Sequence, residues 1–343
     1  MLSRLKFEIE SLFQEIYDER LPETLFMSET TTFADLQSAG LQSIIPLVNK
    51  LRKYGHSDEN IRSRVFAFME NDLYLNYVQV KNSDLPVTFD IYKESIDMKF
   101  DVIVGNPPYQ NQKKNNKKGK GGNNSLYISF IEKGMDLLRD GGYFNFVTPP
   151  AAIIKSTVLG KQSKTLTEMS KKGSFDYINL DTNRYFDVGS AICNWQWVKG
   201  GKNNSVKVIS LGEVHDYKLD KLSYLPPKFT INEMSLFQKI VNNRNGDRII
   251  VKRNDSGSVE NSENLMWMCR FGYNYPSIGR NKSNQALYTS SDNYDFFTSK
   301  VGKWYLSFIQ RHDAMTYHNL LTGIYNGPIT LSDNDKKVLQ DVE

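Results

Sequence analysis

From Phe33 onward, short apolar strands alternate with helix-forming stretches, and this alternation narrows the possible folds more than any other feature of the chain. "TTTFADL", "RVFAFMEND", "PVTFDI" and "FDVIV" read as four strands, and "SIIPLVNKLRKYG" between the first two reads as a helix. In that helix Ile44, Val48 and Leu51 share a face and Pro46 falls in the first turn. Lys50, Arg52 and Lys53 favour the last turn, and Gly55 stops it. "SLYISFIEKGMDLLRDGG" is a second amphipathic helix, with Tyr127, Phe130, Ile131, Gly134, Leu137 and Leu138 inward. "YFNFVTPP" and "FDYINLD" follow as strands, and "AICNWQWV" with "SVKVISL" is expected to form a hairpin across "KGGKNN". Ahead of them all, Leu2 to about Tyr17 has helical spacing. The expectation is an α/β fold with a doubly wound, mainly parallel sheet, which binds ligands at the carboxyl ends of its strands. Asp35, Glu70, Asp90 and Gly105 each end a strand, so they belong on one rim.

The 343 residues allow one large α/β domain and a smaller second one. The texture changes near Leu222. "YLPPKF" reads as a connector, and "TINEMSLFQKIVNN" opens a helix with a capping box of Thr230 and Glu233. Beyond it, Asn, Ser and aromatics dominate without βα alternation. Residues 1–222 thus read as a catalytic-type domain and residues 223–343 as a smaller, mixed α/β recognition domain.

Several classes are disfavoured. No apolar run reaches the ~20 residues that span a bilayer, and "MLSRLKFEIE" lacks a signal-peptide core, so a cytoplasmic protein without a membrane partner is expected. Cys193 and Cys269 make no disulfide framework, and no Cys/His spacing suggests zinc, so no metal is expected. The net charge of +4 is too small to identify a nucleic-acid binder by itself. Its distribution says more: Lys113, Lys114, Lys117, Lys118 and Lys120 share one Gly/Asn-rich segment with no acidic residue between Gln110 and Ile131. Such a run is commonly only a solvated loop.

That loop follows "FDVIVGNPPY", a buried strand ending in a glycine and the tetrad Asn106-Pro107-Pro108-Tyr109. The prolines alone would make a rigid turn, but the flanking amide and aromatic have a chemistry of their own. Pro107 and Pro108 fix the backbone and present the Pro107 carbonyl, which no local donor can claim. The Asn106 oxygen is a second acceptor. Two acceptors held together suit an exocyclic amino group. Accepting both its hydrogens favours tetrahedral nitrogen and stabilises the positive charge that develops as it attacks an electrophile. Tyr109 offers a flat face on which a base can stack.

"DVIVGNPPYQ" resembles the catalytic motif of the gamma-class adenine-N6 DNA methyltransferases, and the resemblance extends over about Phe33 to Val198. It implies a Rossmann-like fold, S-adenosylmethionine as cofactor, double-stranded DNA as partner, a flipped-out adenine, and a C-terminal target-recognition domain. Glu70 resembles the acid that binds the cofactor ribose; Asp90 sits where the family has an acid or polar group near the cofactor adenine. In "DTNRYFDVGSAICNWQWV", Phe186 resembles the aromatic that packs on the flipped base opposite Tyr109, although a core phenylalanine would read the same. "FADLQSAGLQSI" departs from the first cofactor motif. It keeps Asp35 and Gly40, but Leu41 stands about where a second glycine is expected and Ser43 where an aromatic often is.

Beside such a site the lysine loop gains a role in phosphate contact. In "WMCRFGYNYPSIGRNKSNQALY", Arg270, Arg280 and Lys282 are interleaved with aromatics and amides that suit base-edge reading. Two other readings stay open: a methyltransferase acting on RNA or on protein glutamine, and a catalytically impaired or partner-dependent DNA-binding subunit. A cognate restriction endonuclease would be a further partner.

Overall fold

The computed structural model describes residues 2–36, 41–69, 72–92, 96–109, 126–150, 164–186, 191–217, 228–245, 277–280, 286–288, 294–312, 324–325 and 329–340. The chain forms two compact units, one within residues 1–219 and the other chiefly within residues 220–343.

The first unit is built on a nine-stranded sheet of order β3-β2-β1-β4-β5-β7-β6-β8-β9. Its strands are β1 (Phe33–Leu36), β2 (Val65–Met69), β3 (Thr88–Ile91), β4 (Phe100–Gly105), β5 (Leu138–Thr148), β6 (Gly173–Asn179), β7 (Cys193–Lys199), β8 (Val206–Ser210) and β9 (Glu213–Tyr217). β1 to β5 pair in parallel, β7 lies antiparallel between β5 and β6, and β8 runs parallel to β6. The fold is therefore the doubly wound, mainly parallel α/β class that the alternation implies. Its helices are α1 (Leu2–Glu15), α2 (Thr24–Met27), α3 (Ile44–Lys53), α4 (Asp58–Arg64), α5 (Asp72–Lys81), α6 (Leu126–Leu137) and α7 (Lys164–Lys172). α1 stops at Glu15 and continues as a π-turn over Ile16–Arg20, where the sequence suggested one helix to about Tyr17.

The expected hairpin does not form. β7 pairs with β5 and β6, while β8 pairs with β6 and β9, so β6 separates the two predicted partners. The reason lies in burial. The first five residues of β7, Cys193 to Trp197, are all buried, which requires cover on both faces and a neighbour on both edges. β8 alternates buried and more exposed residues, as suits a position near the sheet's edge. "KGGKNN" therefore links strands that are not neighbours.

Trp195 packs against Phe144, Phe146 and Phe175 at centroid distances of 5.2, 5.8 and 5.9 Å. Through the neighbouring β7 residue Asn194, the strand joins a closed ring of buried polar groups. Asn145 Nδ2 donates to the Tyr177 hydroxyl (2.7 Å), that hydroxyl donates to Asn194 Oδ1 (2.6 Å), and Asn194 Nδ2 donates to Asn145 Oδ1 (2.7 Å). Each group satisfies the next, so burial costs little and the ring fixes the mutual register of β5, β6 and β7. Burial pushes the Tyr177 phenol well above its usual range, so it remains a donor.

In the second unit, α8 (Ile231–Asn242) begins with the expected capping box, in which Thr230 and Glu233 bond reciprocally. Its Lys239 is paired with Asp335, itself a capping residue of α11 (Asp333–Val338). Phe237 on α8 packs on Tyr305 and Phe308 of α10 (Lys300–His312), which follows α9 (Tyr294–Thr298). Two short antiparallel pairs complete the description: β10 (Arg244–Asn245) with β13 (Ile324–Tyr325), and β11 (Ser277–Arg280) with β12 (Ala286–Tyr288).

Candidate active site

The parallel registers set the strand ends level. Asp35 lies beside Ala67 on β2 and Val104 on β4, and Phe68 lies beside Asp90 on β3. Leu36, Met69, Ile91 and Gly105 consequently finish on one rim. Gly105 is required there by space, since a Cβ would stand 2.7 Å from the Phe146 ring and 2.8 Å from the Leu36 carbonyl oxygen.

Asn106 leaves that rim half-buried, Pro107 is buried, and Pro108 and Tyr109 are half-buried. The Tyr109 hydroxyl donates to Asn106 Oδ1 at 2.7 Å, which holds the amide with its oxygen towards the tyrosine. An amide oxygen can accept two hydrogen bonds. Burial, with a smaller contribution from Cys193, pushes the Tyr109 phenol well above 10, and the group stays a donor at ordinary pH. Its ring meets Tyr127 edge-on, with centroids 6.4 Å apart. The Cys193 thiol is pushed up to about 12 by burial, against an opposing hydrogen bond with Thr148, and is therefore an inert packing group.

Phe186 follows a 3₁₀ turn, Thr182–Tyr185, and has extended backbone. Tyr109, Tyr185 and Phe186 all pack on one buried cluster that includes Val104, Val147 and Ile192. The fold thus brings the tetrad and the later aromatic motif, far apart in sequence, to the same core.

On the other side of β1 the groups are sealed. Asp35 is fully buried, and its carboxylate accepts the Ser43 hydroxyl in a short hydrogen bond. The Tyr17 hydroxyl donates to the Ser43 carbonyl at 2.8 Å, and burial followed by the Asp35 charge pushes that phenol well up. Leu41 has φ of +62°, in the left-handed region that favours glycine, yet its side chain is enclosed in the core cluster. Asp90 is exposed at the end of edge strand β3, where one carboxylate oxygen accepts the Ile91 N–H at 2.7 Å.

Gly40, Glu70, the five lysines between Lys113 and Lys120, Arg270 and Lys282 lie outside the described residues. Arg280 ends β11. Among the described residues no cluster of His, Cys, Asp and Glu could hold a metal, and no helix is long and apolar enough to cross a membrane.

Sequence reasoning missed a second set of residues around Phe186. Glu15, at the end of α1, accepts from Arg20 (3.2 Å) and from Arg184 (2.9 Å), and forms a short hydrogen bond with the Tyr185 hydroxyl. Burial raises the Glu15 carboxyl, but the hydrogen bonds from Tyr185 and Arg20 and the charges of Arg184 and Arg20 outweigh it, so its pKa is lowered. Nothing local in the sequence announces a contact across 169 positions.

The result is an open sheet in which β7 is reversed between β5 and β6 and Asn-Pro-Pro-Tyr stands at the end of β4. Residues 23–184, just under half of the chain, match the family model described as the Eco57I restriction-modification methylase. The matched segment holds β1 to β6 and the tetrad, and the adenine-N6 resemblance of "DVIVGNPPYQ" falls inside it.

No curated protein matches the chain. Solved structures similar to it include the methyltransferase subunit of a type I restriction-modification system from Streptococcus thermophilus, with 16% identity over 62% of this chain and 50% of that one and a TM-score of 0.43. The type IIG restriction endonuclease BpuSI is 14% identical over 88% of this chain and 44% of that one, with a TM-score of 0.44. A Listeria monocytogenes protein described as a class I S-adenosylmethionine-dependent methyltransferase is 15% identical over 60% of this chain and 64% of that one, with a TM-score of 0.40. The chain spans less than two thirds of the length of each of these three.

Proposed function

We propose that this protein is an S-adenosylmethionine-dependent methyltransferase that methylates adenine N6 in DNA. The observation that carries this reading is Asn106-Pro107-Pro108-Tyr109 at the carboxyl end of β4, packed on the same cluster as Phe186.

The residues present fit the cofactor. The Leu41 side chain is enclosed in the core, so its bulk is not presented at the rim, and exposed Asp90 supplies a carboxylate level with the other strand ends. Buried Asp35 acts here through Ser43, fixing the chain between β1 and α3, while Gly40 and Glu70 are assigned to the cofactor by the family resemblance. S-adenosylmethionine supplies an electrophilic methyl group on a sulfonium. This chain's part is to receive a flipped-out adenine between Tyr109 and Phe186. Asn106 Oδ1 and the Pro107 carbonyl oxygen accept the two N6 hydrogens, holding the nitrogen lone pair out of the ring for in-line attack. The Tyr109 hydroxyl keeps the Asn106 oxygen oriented. No strong base is needed, because the N6 proton leaves once the nitrogen has become cationic. The five lysines from Lys113 to Lys120 would hold phosphates, and Arg270, Arg280 and Lys282 of the second unit would read the target.

The test is incubation with unmethylated genomic DNA and S-adenosylmethionine, followed by nucleoside mass spectrometry, with Asn106→Ala in parallel. N6-methyladenine from the unmutated protein alone is the expected result; none from folded protein sinks the reading. The left-handed backbone at Leu41, φ +62°, is the observation behind a second reading, a DNA-binding subunit with weakened catalysis. Calorimetric titration with S-adenosylmethionine separates the two, since firm binding counts against the second.

A further inference from the structure

We infer that Glu15 is a positioning residue for the target base, acting through the Thr182–Tyr185 turn on Phe186. The inference rests on the methyltransferase reading above and extends it to the N-terminal helix.

The turn that delivers Phe186 is anchored on two sides. On the sheet side, Thr182 Oγ1 donates to the Asn179 carbonyl (2.7 Å) and accepts the Asn194 N–H (2.9 Å). Asn183 Oδ1 accepts the Ile192 N–H (2.8 Å), and the Asn183 carbonyl accepts the Phe186 N–H (3.0 Å). These bonds fix where the turn begins and how Phe186 leaves it. In the outer part of the turn the Arg184 N–H donates to the Asp181 carbonyl at 3.3 Å and the Tyr185 ring packs on the core cluster, while their polar side-chain ends are gathered by Glu15. One carboxylate oxygen takes both the Arg184 guanidinium and the Tyr185 hydroxyl. Arg184 in turn donates to the Tyr185 hydroxyl at 2.6 Å and lies over the Tyr185 ring, 4.7 Å from its centroid. The other oxygen takes Arg20, whose guanidinium sits 5.3 Å above the ring of Tyr177, a member of the buried polar ring.

Glu15 therefore bridges α1, the π-turn, the Phe186 turn and the sheet interior, with its side chain only 18% exposed. The Arg184 side chain is 59% exposed, so the hold comes chiefly from the Tyr185 hydroxyl and Arg20, which meet a largely buried carboxylate in charge-assisted bonds. In a sandwich of two aromatics around a base, a small displacement of one of them is enough to lower the rate.

The test is a double-mutant cycle in the full chain. Glu15→Ala, Phe186→Ala and the pair are assayed for methyl transfer to unmethylated genomic DNA, with S-adenosylmethionine affinity and thermal unfolding measured alongside. Glu15→Ala is expected to lower kcat/KM for DNA about tenfold, from the size of hydrogen bonds to charged groups. It should leave cofactor affinity unchanged and add nothing in the Phe186→Ala background. Glu15→Gln, which can still accept from Tyr185, should recover part of the loss. Additive effects of the two alanines, or a loss of cofactor affinity equal to the loss of activity, would overturn the inference while leaving the methyltransferase reading intact. If the unmutated protein forms no N6-methyladenine, the reading fails and takes this inference with it.

Discussion

The two halves of the rim are built on opposite principles. On the β4 side, Asn106, Pro108, Tyr109 and Phe186 are half-buried, and the Tyr109 hydroxyl and the Asn106 amide oxygen are bonded to each other. On the β1 side, Asp35, Ser43, Tyr17 and Leu41 are wholly enclosed, and their polar atoms are spent on fixing the chain. A site that acts with side chains needs particular residues. A site that acts by the shape of its backbone needs only a core that enforces that shape, and many sequences supply one. The β4 half accordingly carries the Asn-Pro-Pro-Tyr tetrad of the resemblance intact, while the β1 half departs from the pattern that the resemblance implies.

The largest effect should come from the side-chain half. Asn106→Ala removes one of two preorganised acceptors, and such a loss costs about 100- to 1,000-fold in rate. The half-buried amide contributes little packing, so the unfolding midpoint should hardly move. A variant that loses activity and stability together would erase the contrast, because it would make the tetrad a structural element first.

The opposite behaviour is expected at Leu41. Changing Leu41→Gly installs the glycine that the resemblance implies and relieves a left-handed backbone worth about 1–2 kcal/mol. It also deletes a fully buried leucine, and truncating one to alanine already costs about 2–5 kcal/mol. The deletion outweighs the relief, so a net destabilisation of about 1–3 kcal/mol is expected in denaturant unfolding. A more stable Leu41→Gly variant would show that strain rather than packing governs the β1 half.

The same division sets how much the sequence could show. The alternation of strands and helices, the level strand ends and the capping box at Thr230 follow from local patterns, and each is present. The position of β7 was not legible, because "CNWQWVK" matches an edge hairpin as well as a central strand until its burial on both faces is known. Tyr109 could be singled out from its neighbours, but its bond to Asn106 could not. The grip of Glu15 on Arg184 and Tyr185 joins residues 169 and 170 positions apart, and no local pattern in either segment advertises it.

A smaller effect should separate two roles within one residue. Tyr109→Phe keeps the ring that packs on the cluster and removes only the hydroxyl that orients Asn106. Loss of one neutral hydrogen bond, about 1 kcal/mol, predicts a fall of roughly fivefold in kcat with little change in KM for DNA. Tyr109→Ala removes the stacking face too and should raise KM as well. Equal losses in the two variants would mean that the hydroxyl alone matters.

The smallest effect is on pH dependence, and it again divides the halves. Glu15, which serves the Phe186 side, has its pKa lowered from an ordinary 4.5, because the Tyr185 and Arg20 hydrogen bonds and the nearby arginine charges outweigh its burial. A carboxyl more acidic when folded contributes its full stability above its unfolded value and loses it as pH falls through the folded one. Its contribution is complete above about 4.5 and fades below. Asp18, paired with Lys50 of α3 on the β1 side, is lowered from 3.8, but its side chain is 48% exposed, where solvent and salt screen the pair. Between pH 7 and pH 3 in moderate salt, the unfolding midpoint of Glu15→Gln should therefore converge on that of the unmutated protein, whereas Asp18→Asn should track it throughout. If the Asp18 variant converges and the Glu15 variant does not, the charge that matters lies on the β1 side, and the contrast between the halves must be redrawn.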